Sequence, residues 1–485
     1  GRARHNHWKP ARHPGTQTYL FASHSERPSA RADDVRYATE TLNKRKATEG
    51  SMVEESSFGS YEPIMPLQDS AQASREALLF TLSNPNMTVR LTDLGATIVG
   101  IDAPDRDGTF EDVVLGFDDA ASYYPDGQGT YFGATVGPSA NRVEGATVPI
   151  DGAVYRLPAN EGSNNLHTDR VRGLHAQLWQ SEVFESADCV RFTCTMGAGV
   201  PGSDLELPGA RTFTVTYELD GTCLRVTFDA QTTAATFINL TNHSYFNLAG
   251  QASGSVADQE LQLFAERFLP IDDASIPTGE LRSVAGTAFD FRTPKAIGRD
   301  IEASDEQLAR GSGYDHCFCI DGYEPDDGTG QLPEPRLAAR ALDPASGRGM
   351  ELWTSLPGLQ LYTGNFIGGV VGKGGRAYEN RGGFALEPQF YPATPLASGL
   401  PKRQFSRPSA PTAPLLSTVS SPPDTFEPIP KVSPRPASAT ERNAHDNCSN
   451  APRRPLERAI RRTAGRPALR DRSRPLRDRR QPYGP

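Results

Sequence analysis

Short runs of β-forming residues, each bounded by turn residues, fill the chain between about residues 78 and 395. Residues 212–217 read TFTVTY and residues 224–228 read LRVTF, so apolar and polar side chains alternate as on a strand with one buried face. Turn pairs such as Asp107-Gly108 and Asp220-Gly221 separate the runs at hairpin-like spacing. Apolar residues do not repeat at a helical period over any long stretch. The sequence therefore predicts an all-β domain.

Two flanking segments lack this pattern. Residues 1–75 are polar, and their apolar residues are scattered without a period. Residues 401–485 contain 16 Pro and carry 18 Lys and Arg against 7 Asp and Glu, although the whole chain has a net charge of −9. Such segments bury too little apolar surface to offset the entropy lost on ordering. We expect a disordered leader over 1–75, a folded domain over 76–396 and a disordered basic, Pro/Arg-rich tail over 397–485.

Composition and charge exclude several classes of protein. The chain is 37% hydrophobic with 22 Phe and 15 Tyr, which is enough for a large core. Because the tail is basic, the acidic excess lies in the folded domain, and we expect that domain not to bind nucleic acid. No run approaches the roughly 20 apolar residues of a membrane helix, and the N-terminus lacks the apolar segment of a secretory signal. We expect no membrane association, a cytoplasmic location and reduced thiols.

One polar segment directly follows a predicted strand. Residues 239–248 read NLTNHSYFNL, and a strand end presents polar groups from rigid backbone. His243 is the titratable residue of this segment. A single histidine is more often a core residue satisfied by neighbouring hydroxyls, so His243 alone does not identify a site.

Glu387 lies between apolar residues in the run FALEPQF. Desolvation would raise the pKa of its carboxyl and suit it to proton transfer near neutral pH. An ion pair with a buried arginine explains the position equally well. Cys317 and Cys319 follow His316, but no second pair of ligands accompanies them, so core packing is favoured over a metal site. A nucleotide-binding glycine loop and a nucleophile elbow are both absent from the sequence.

These segments, taken in order, resemble those of the aldose 1-epimerase (galactose mutarotase) family. The resemblance spans about residues 78–395, and each motif is weak alone while the order of all of them is specific. The matching segments are Leu94-Gly95-Ala96, residues 113–117, Tyr131-Phe132-Gly133, Ala140-Asn141-Arg142-Val143, Asn165-Leu166-His167, residues 239–250, Leu269-Pro270-Ile271-Asp272, residues 276–279, residues 286–290, Asp315-His316, residues 357–366 and Leu386-Glu387-Pro388-Gln389.

The resemblance implies a large β-sandwich of the galactose mutarotase type, with an open concave face that holds an aldohexose. It implies an isomerase without cofactor or metal, which opens the pyranose, lets the aldehyde turn over and closes the ring on its other face. Matched by motif, Glu387 is the general base at O1 and His243 the general acid at the ring oxygen. The residues matched to sugar binding are Asn141, Arg142, His167, Asp315 and Gln360.

The chain departs from the family pattern in four places. One is Gly173-Leu174-His175-Ala176, where the family has Gly-Phe-Asp-Lys before a Trp. Pro138-Ser139 follows Gly137 where the family has Gly-Arg, and Thr168-Asp169 replaces two glycines after the binding histidine. The basic tail stands where the family has its last strand, and loss of that strand would leave a sheet edge unpaired. Two alternatives stay open. One is a non-catalytic sugar-binding or sensing protein on the same fold, and the other is a hexose-phosphate epimerase, which needs a cluster of Arg or Lys for the phosphate.

Overall fold

The structure is a computed structural model that describes residues 52–64, 74–184, 188–198, 207–324 and 332–392. Three strands outside these ranges are described by their backbone alone: β1 (Gln17–Phe21), β28 (Phe405–Ser406) and β29 (Pro414–Ser420). The remainder of the predicted leader and tail lies outside the described residues. Across the described ranges, no helix is both long enough and apolar enough to cross a membrane.

A five-stranded antiparallel sheet forms one layer. Its strands, in hydrogen-bonding order, are β2 (Met52–Tyr61), β3 (Arg75–Asn84), β4 (Met87–Thr92), β5 (Thr97–Pro104) and β6 (Phe110–Asp112). β2 corrects the expectation that residues 1–75 are disordered throughout, because it pairs with β3 along its length and buries Phe58 and Tyr61. Its sequence, MVEESSFGSY, has no clear two-residue apolar period. The ladder to β3 therefore specifies this strand more than its own pattern does.

A ten-stranded sheet forms the second layer. Its strands, in hydrogen-bonding order, are β12 (Gln180–Phe184), β13 (Cys189–Met196), β14 (Arg211–Asp220), β15 (Cys223–Thr232), β1, β29, β25 (Gly349–Thr354), β24 (Arg336–Leu342), β19 (Glu260–Leu263) and β22 (Lys295–Ala296). Alternate residues are buried along most of β14 and β15, as the sequence predicts. β28 and β29 correct the expectation that residues 397–485 hold no regular structure. Neighbouring strands offer unpaired backbone groups to β29, and pairing satisfies them whatever its composition.

A six-stranded sheet carries most of the polar residues that the sequence singles out. Its strands, in hydrogen-bonding order, are β18 (Tyr245–Phe246), β27 (Phe384–Gln389), β26 (Gly358–Tyr362), β23 (Asp315–Cys319), β20 (Arg267–Phe268) and β21 (Arg282–Ser283). The register places Gln360 of β26 directly opposite Glu387 of β27 and Cys317 of β23. Every residue of β27 is buried, so Glu387 is held on rigid, desolvated backbone.

Shorter elements connect these layers. The two-stranded sheets are β9 (Thr147–Ile150) with β10 (Ala153–Arg156), β8 (Arg142–Val143) with β11 (Asn165–Leu166), β7 (Thr135–Val136) with β17 (Thr241–Asn242), and β16 (Thr236–Phe237) with β28. The helices are α1 (Ala120–Tyr123) and α2 (Glu306–Gly311), with 3-10 turns at Glu144–Ala146, Leu174–Ala176 and Lys373–Gly375. Asp119 and Asp305 cap the two helices by accepting hydrogen bonds from backbone N–H groups of the first turn.

One large apolar core joins the three main sheets. Phe80 of the five-stranded sheet packs edge-on against Phe192 of the ten-stranded sheet, with ring centroids 5.5 Å apart. Phe268 and Phe318 of the six-stranded sheet belong to the same buried cluster. The sheets therefore pack face to face, as expected for a β-sandwich, and the polar site lies at one end of strands that this core holds in place.

Candidate active site

Six of the seven predicted site residues line one cavity of about 280 Å³. They are Asn141, Arg142, His167, His243, Asp315 and Glu387. These residues lie on or beside β8, β11, β17, β23 and β27, so the fold brings together positions far apart in sequence. A more open groove of about 620 Å³, lined by residues between 286 and 303, contains none of them.

Glu387 and His243 form the centre of the cavity. The Oε1 atom of Glu387 lies 3.5 Å from the Nε2 atom of His243, and both side chains are buried. The backbone N–H of His243 donates to Ala134 O at 3.0 Å, and its carbonyl accepts from Gly133 N–H at 3.0 Å. The ring of Tyr245 stacks on the imidazole with centroids 5.0 Å apart. A carboxyl and an imidazole are thus fixed within reach of a single small substrate.

Burial shifts the pKa values of Glu387 and His243 in opposite directions. Desolvation, with a smaller contribution from Asp315, raises the pKa of Glu387 well above its ordinary value, and Arg142 only partly opposes this. Desolvation lowers the pKa of His243 to about 4. The opposite shifts make Glu387 the more basic member of the pair, so a proton that the two groups share is favoured on Glu387. Moving that proton to His243 produces a carboxylate base beside an imidazolium acid.

Arg142 does not form the ion pair with Glu387 that the sequence left open. Its guanidinium binds Glu161 with Nε–Oε2 at 2.7 Å, and it lies 3.4 Å from the Oδ2 atom of Asp315. These two carboxylates raise the pKa of Arg142, which keeps the guanidinium charged despite its burial. Glu387 remains without a cationic partner at salt-bridge distance within the described residues, so its carboxyl is available for proton transfer.

Gln360 does not line the cavity, although the resemblance gives it a place in sugar binding. Its Nε2 atom donates to Asp315 Oδ1 at 2.6 Å, and its Oε1 atom accepts from Gln389 Nε2 at 3.3 Å. Asp315 thus has one oxygen held by Gln360 and the other near Arg142. In this structure Gln360 orients Asp315 rather than facing the cavity itself.

His167 presents one nitrogen to the cavity wall and the other to the backbone. Its Nδ1 atom accepts the backbone N–H of Asn141 at 3.2 Å, so Nε2 carries the proton of the neutral ring. Burial lowers the pKa of His167 well below its ordinary value. Thr168, which replaces a family glycine, takes a φ of 68°, and its hydroxyl bonds both the N–H and the C=O of Ser139. The loop therefore keeps its turn without the glycine.

The structure adds residues that the sequence did not assign to the site. Tyr131 lies between two histidines, with ring centroids 4.9 Å from His167 and 6.1 Å from His243. Glu161 lines the cavity beside Arg142. Tyr131 belongs to a segment already matched to the family, which could have identified it. Glu161 lies in a Gly/Asn-rich loop with no pattern that marks it.

The cysteines beside His316 belong to packing. Cys317 and Cys319 are buried with Leu269 and Tyr391, whereas the ring of His316 lies against Phe289 on the other face of β23. Over the ranges that the structure describes, no group of three or more His, Cys, Asp or Glu side chains is arranged to hold a metal ion.

Comparison with known proteins identifies the family. The aldose 1-epimerase family model matches residues 78–408. Galactose mutarotase of Bos taurus is 41% identical over 314 residues, which cover 64% of this chain and 85% of that protein. Aldose 1-epimerase of Escherichia coli K12 is 34% identical over 319 residues, covering 66% and 87%. The crystal structure of an aldose epimerase homologue from C. elegans aligns with a TM-score of 0.60 at 28% identity, covering 76% of this chain and 100% of that chain.

These matches confirm three predictions made from the sequence: the family, the all-β fold of the galactose mutarotase type, and an isomerase as the class of enzyme. The family match extends past residue 396, which the sequence took as the end of the folded domain. It covers well over half of the chain, and relatives above 30% identity are matched over most of their length. The chain therefore belongs to the aldose 1-epimerase family.

Proposed function

We propose that this protein interconverts the α and β anomers of free aldohexoses such as galactose or glucose, with Glu387 as general base and His243 as general acid. Glu387 removes the proton of the anomeric hydroxyl O1 while His243 protonates the ring oxygen, and the bond between C1 and the ring oxygen breaks. The open aldehyde rotates about the C1–C2 bond. On ring closure at the other face, His243 takes back the proton of the ring oxygen and Glu387 gives its proton back to O1, so no proton is gained or lost overall.

The observation that carries this proposal is the 3.5 Å approach of His243 Nε2 to Glu387 Oε1 inside a polar cavity. Only the one-proton form of the pair supplies a base and an acid together, and the opposite pKa shifts make Glu387 the more basic member of that pair. A sugar whose O1 and ring oxygen share C1 brings both reacting atoms to such a pair at once.

Charge balance in the cavity favours a free sugar over a sugar phosphate. Arg142 is the guanidinium of the cavity lining, and the carboxylates of Glu161 and Asp315 already bind it. A phosphate group would meet these two carboxylates rather than an unpaired cluster of Arg and Lys. Neutral hydroxyls instead suit a site of carboxylates, Asn141 and the Nε2–H of His167. A cytoplasmic location and the absence of a cofactor stay predictions from the sequence.

Polarimetry of freshly dissolved α-D-galactose and α-D-glucose tests the proposal, with the spontaneous rate in the same buffer subtracted. Glu387→Gln and His243→Asn are each expected to lower kcat by at least about 100-fold while sugar binding persists, because proton transfer contributes roughly 10² to 10⁴ in rate. Glu379→Gln, which changes an exposed glutamate outside the cavity lining, is the matched control and should retain the wild-type rate. Near-native kcat in either site variant would exclude the assigned pair, and a wild-type protein that binds sugar without accelerating mutarotation would favour a sensor.

A further inference from the structure

Both carboxylate oxygens of Glu161 accept hydrogen bonds from the guanidinium of Arg142. The Nε atom of Arg142 donates to Oε2 at 2.7 Å and its second terminal nitrogen donates to Oε1 at 2.9 Å. This fork-to-fork geometry fixes the plane of the guanidinium. The remaining terminal nitrogen lies 3.4 Å from Asp315 Oδ2. Arg142 is therefore clamped between two carboxylates, one of which reaches solvent at the rim, since the Glu161 side chain is 35% exposed.

A short loop holds Glu161 in place. The backbone N–H and C=O of Glu161 both bond Asn164, at 3.1 and 3.0 Å. The side chain of Asn160 accepts the N–H of Leu166 and donates to its carbonyl. Leu166 in turn pairs with Arg142 across β8 and β11 and precedes His167. The loop thus connects Glu161, Arg142 and His167 in one hydrogen-bonded unit, so the position of the carboxylate is built into the fold.

Several titratable groups face Arg142 and Glu387, and their charges decide where the shared proton resides. They are Glu161, Asp315, His167, His243, Tyr131, Tyr245 and Tyr362. The histidines are neutral near pH 7 because burial lowers their pKa, and the tyrosines are neutral because burial raises theirs. Arg142 with its two carboxylates then sums to one negative charge. Removing the charge of Glu161 would leave this trio neutral and make the Glu387 carboxylate easier to form.

We propose that Glu161 is a positioning residue that holds Arg142 in the cavity wall and offsets its charge, and that it thereby sets the upper limit of the pH range in which the Glu387–His243 pair carries one proton. The inference rests on the proposed function, because it concerns the same pair and the same reaction. Glu161 acts through Arg142, because it holds the guanidinium with two hydrogen bonds and offsets its positive charge.

The test is the pH dependence of kcat/KM for galactose mutarotation, corrected for the spontaneous rate, in wild type, Glu161→Gln, Glu161→Asp and Glu144→Gln. In Glu161→Gln, the fall of kcat/KM on the alkaline side of the profile (the alkaline limb) is expected about one pH unit lower, because one nearby charge is lost. The KM of this variant should rise several-fold. Glu161→Asp keeps the charge but shortens the reach, so KM should rise while the limb stays. Glu144 is an exposed glutamate two residues after Arg142 and outside the cavity lining, and its variant should match wild type.

Two results would overturn the inference: an unchanged alkaline limb in Glu161→Gln, or equal shifts in the Gln and Asp variants, since the charge would then not be the cause. Urea unfolding midpoints of all four proteins show whether a variant is merely destabilised. A shift of the alkaline limb in a variant that remains folded is not explained by destabilisation. Absence of galactose mutarotation in wild type would instead refute the proposed function.

Discussion

His316 makes the stability of the fold sensitive to acid. Its ring packs against Phe289 and Phe268, with centroids 4.7 and 5.8 Å away, and its Nδ1 atom accepts the backbone N–H of Asp315 at 3.1 Å. Burial lowers its pKa to about 3. A histidine whose folded pKa lies below its unfolded pKa stabilises the fold at pH values above the unfolded pKa. That contribution is lost as the pH falls from about 6.5 towards 3.

The size of the effect follows from these two pKa values. At about pH 4.5 the unfolded chain has protonated this histidine, whereas the folded chain has not. The gap of about two pH units between 4.5 and the unfolded pKa corresponds to about 3 kcal/mol at 1.36 kcal/mol per unit. Wild type should therefore lose about 3 kcal/mol of unfolding free energy between about pH 7.5 and about pH 4.5 through His316 alone.

His316→Asn isolates this contribution. Asparagine does not titrate, and its side-chain oxygen can accept the Asp315 N–H in place of Nδ1. The lost ring packing lowers stability equally at both pH values, so it cancels in the pH difference. Urea unfolding followed by circular dichroism should show a loss on acidification smaller by about 3 kcal/mol in this variant. Phe289→Leu weakens packing on the same ring without removing the proton and should keep the wild-type pH dependence. Equal acid losses in His316→Asn and wild type would refute the reasoning.

Two further predictions concern catalysis and the termini. The kcat/KM for galactose should fall on the acid side with a midpoint near pH 4, because burial lowers the pKa of His243 to about 4; a midpoint near 6.5, measured by polarimetry, would contradict a desolvated His243. Deleting residues 1–64 removes β1 and β2. The buried side chains of Phe58 and Tyr61 in β2 alone correspond to about 4 kcal/mol, so the unfolding free energy should drop by at least about that amount. Deleting 428–485 should leave the unfolding free energy and kcat unchanged. Urea titration measures the stability of both proteins, and equal stability of the first deletion would mean that β1 and β2 are dispensable.

The alternation of apolar and polar residues predicted the strands that bury one face and expose the other. β14 and β15 could be recognised because apolar residues recur at every second position, and each strand buries that face. β2 could not be recognised, because it pairs with β3 along its length while its own sequence has no two-residue apolar period. The same holds for β29, whose pairing partners lie far away in sequence. Strands that depend on a distant edge leave little trace in composition.

The site shows a similar limit. Motif order predicted Glu387 and His243 as the catalytic pair, but a motif does not say which residue faces a cavity. Gln360 lies directly across from Glu387 in the sheet register, and only that register shows that it reaches Asp315 instead of the cavity. Glu161 was missed because its role comes from a bidentate contact across a loop, and a single acidic residue between Asn and Gly carries no such information.

Within the described residues, Oε2 of Glu387 has no hydrogen-bond partner in the protein. In the proposed reaction the O1 hydroxyl of the sugar donates to Glu387, which favours the carboxylate over the carboxylic acid. The shared proton then moves to His243, beside the ring oxygen. Binding energy is thus directed to the reacting atoms, and the base and acid form together only when the substrate is in place.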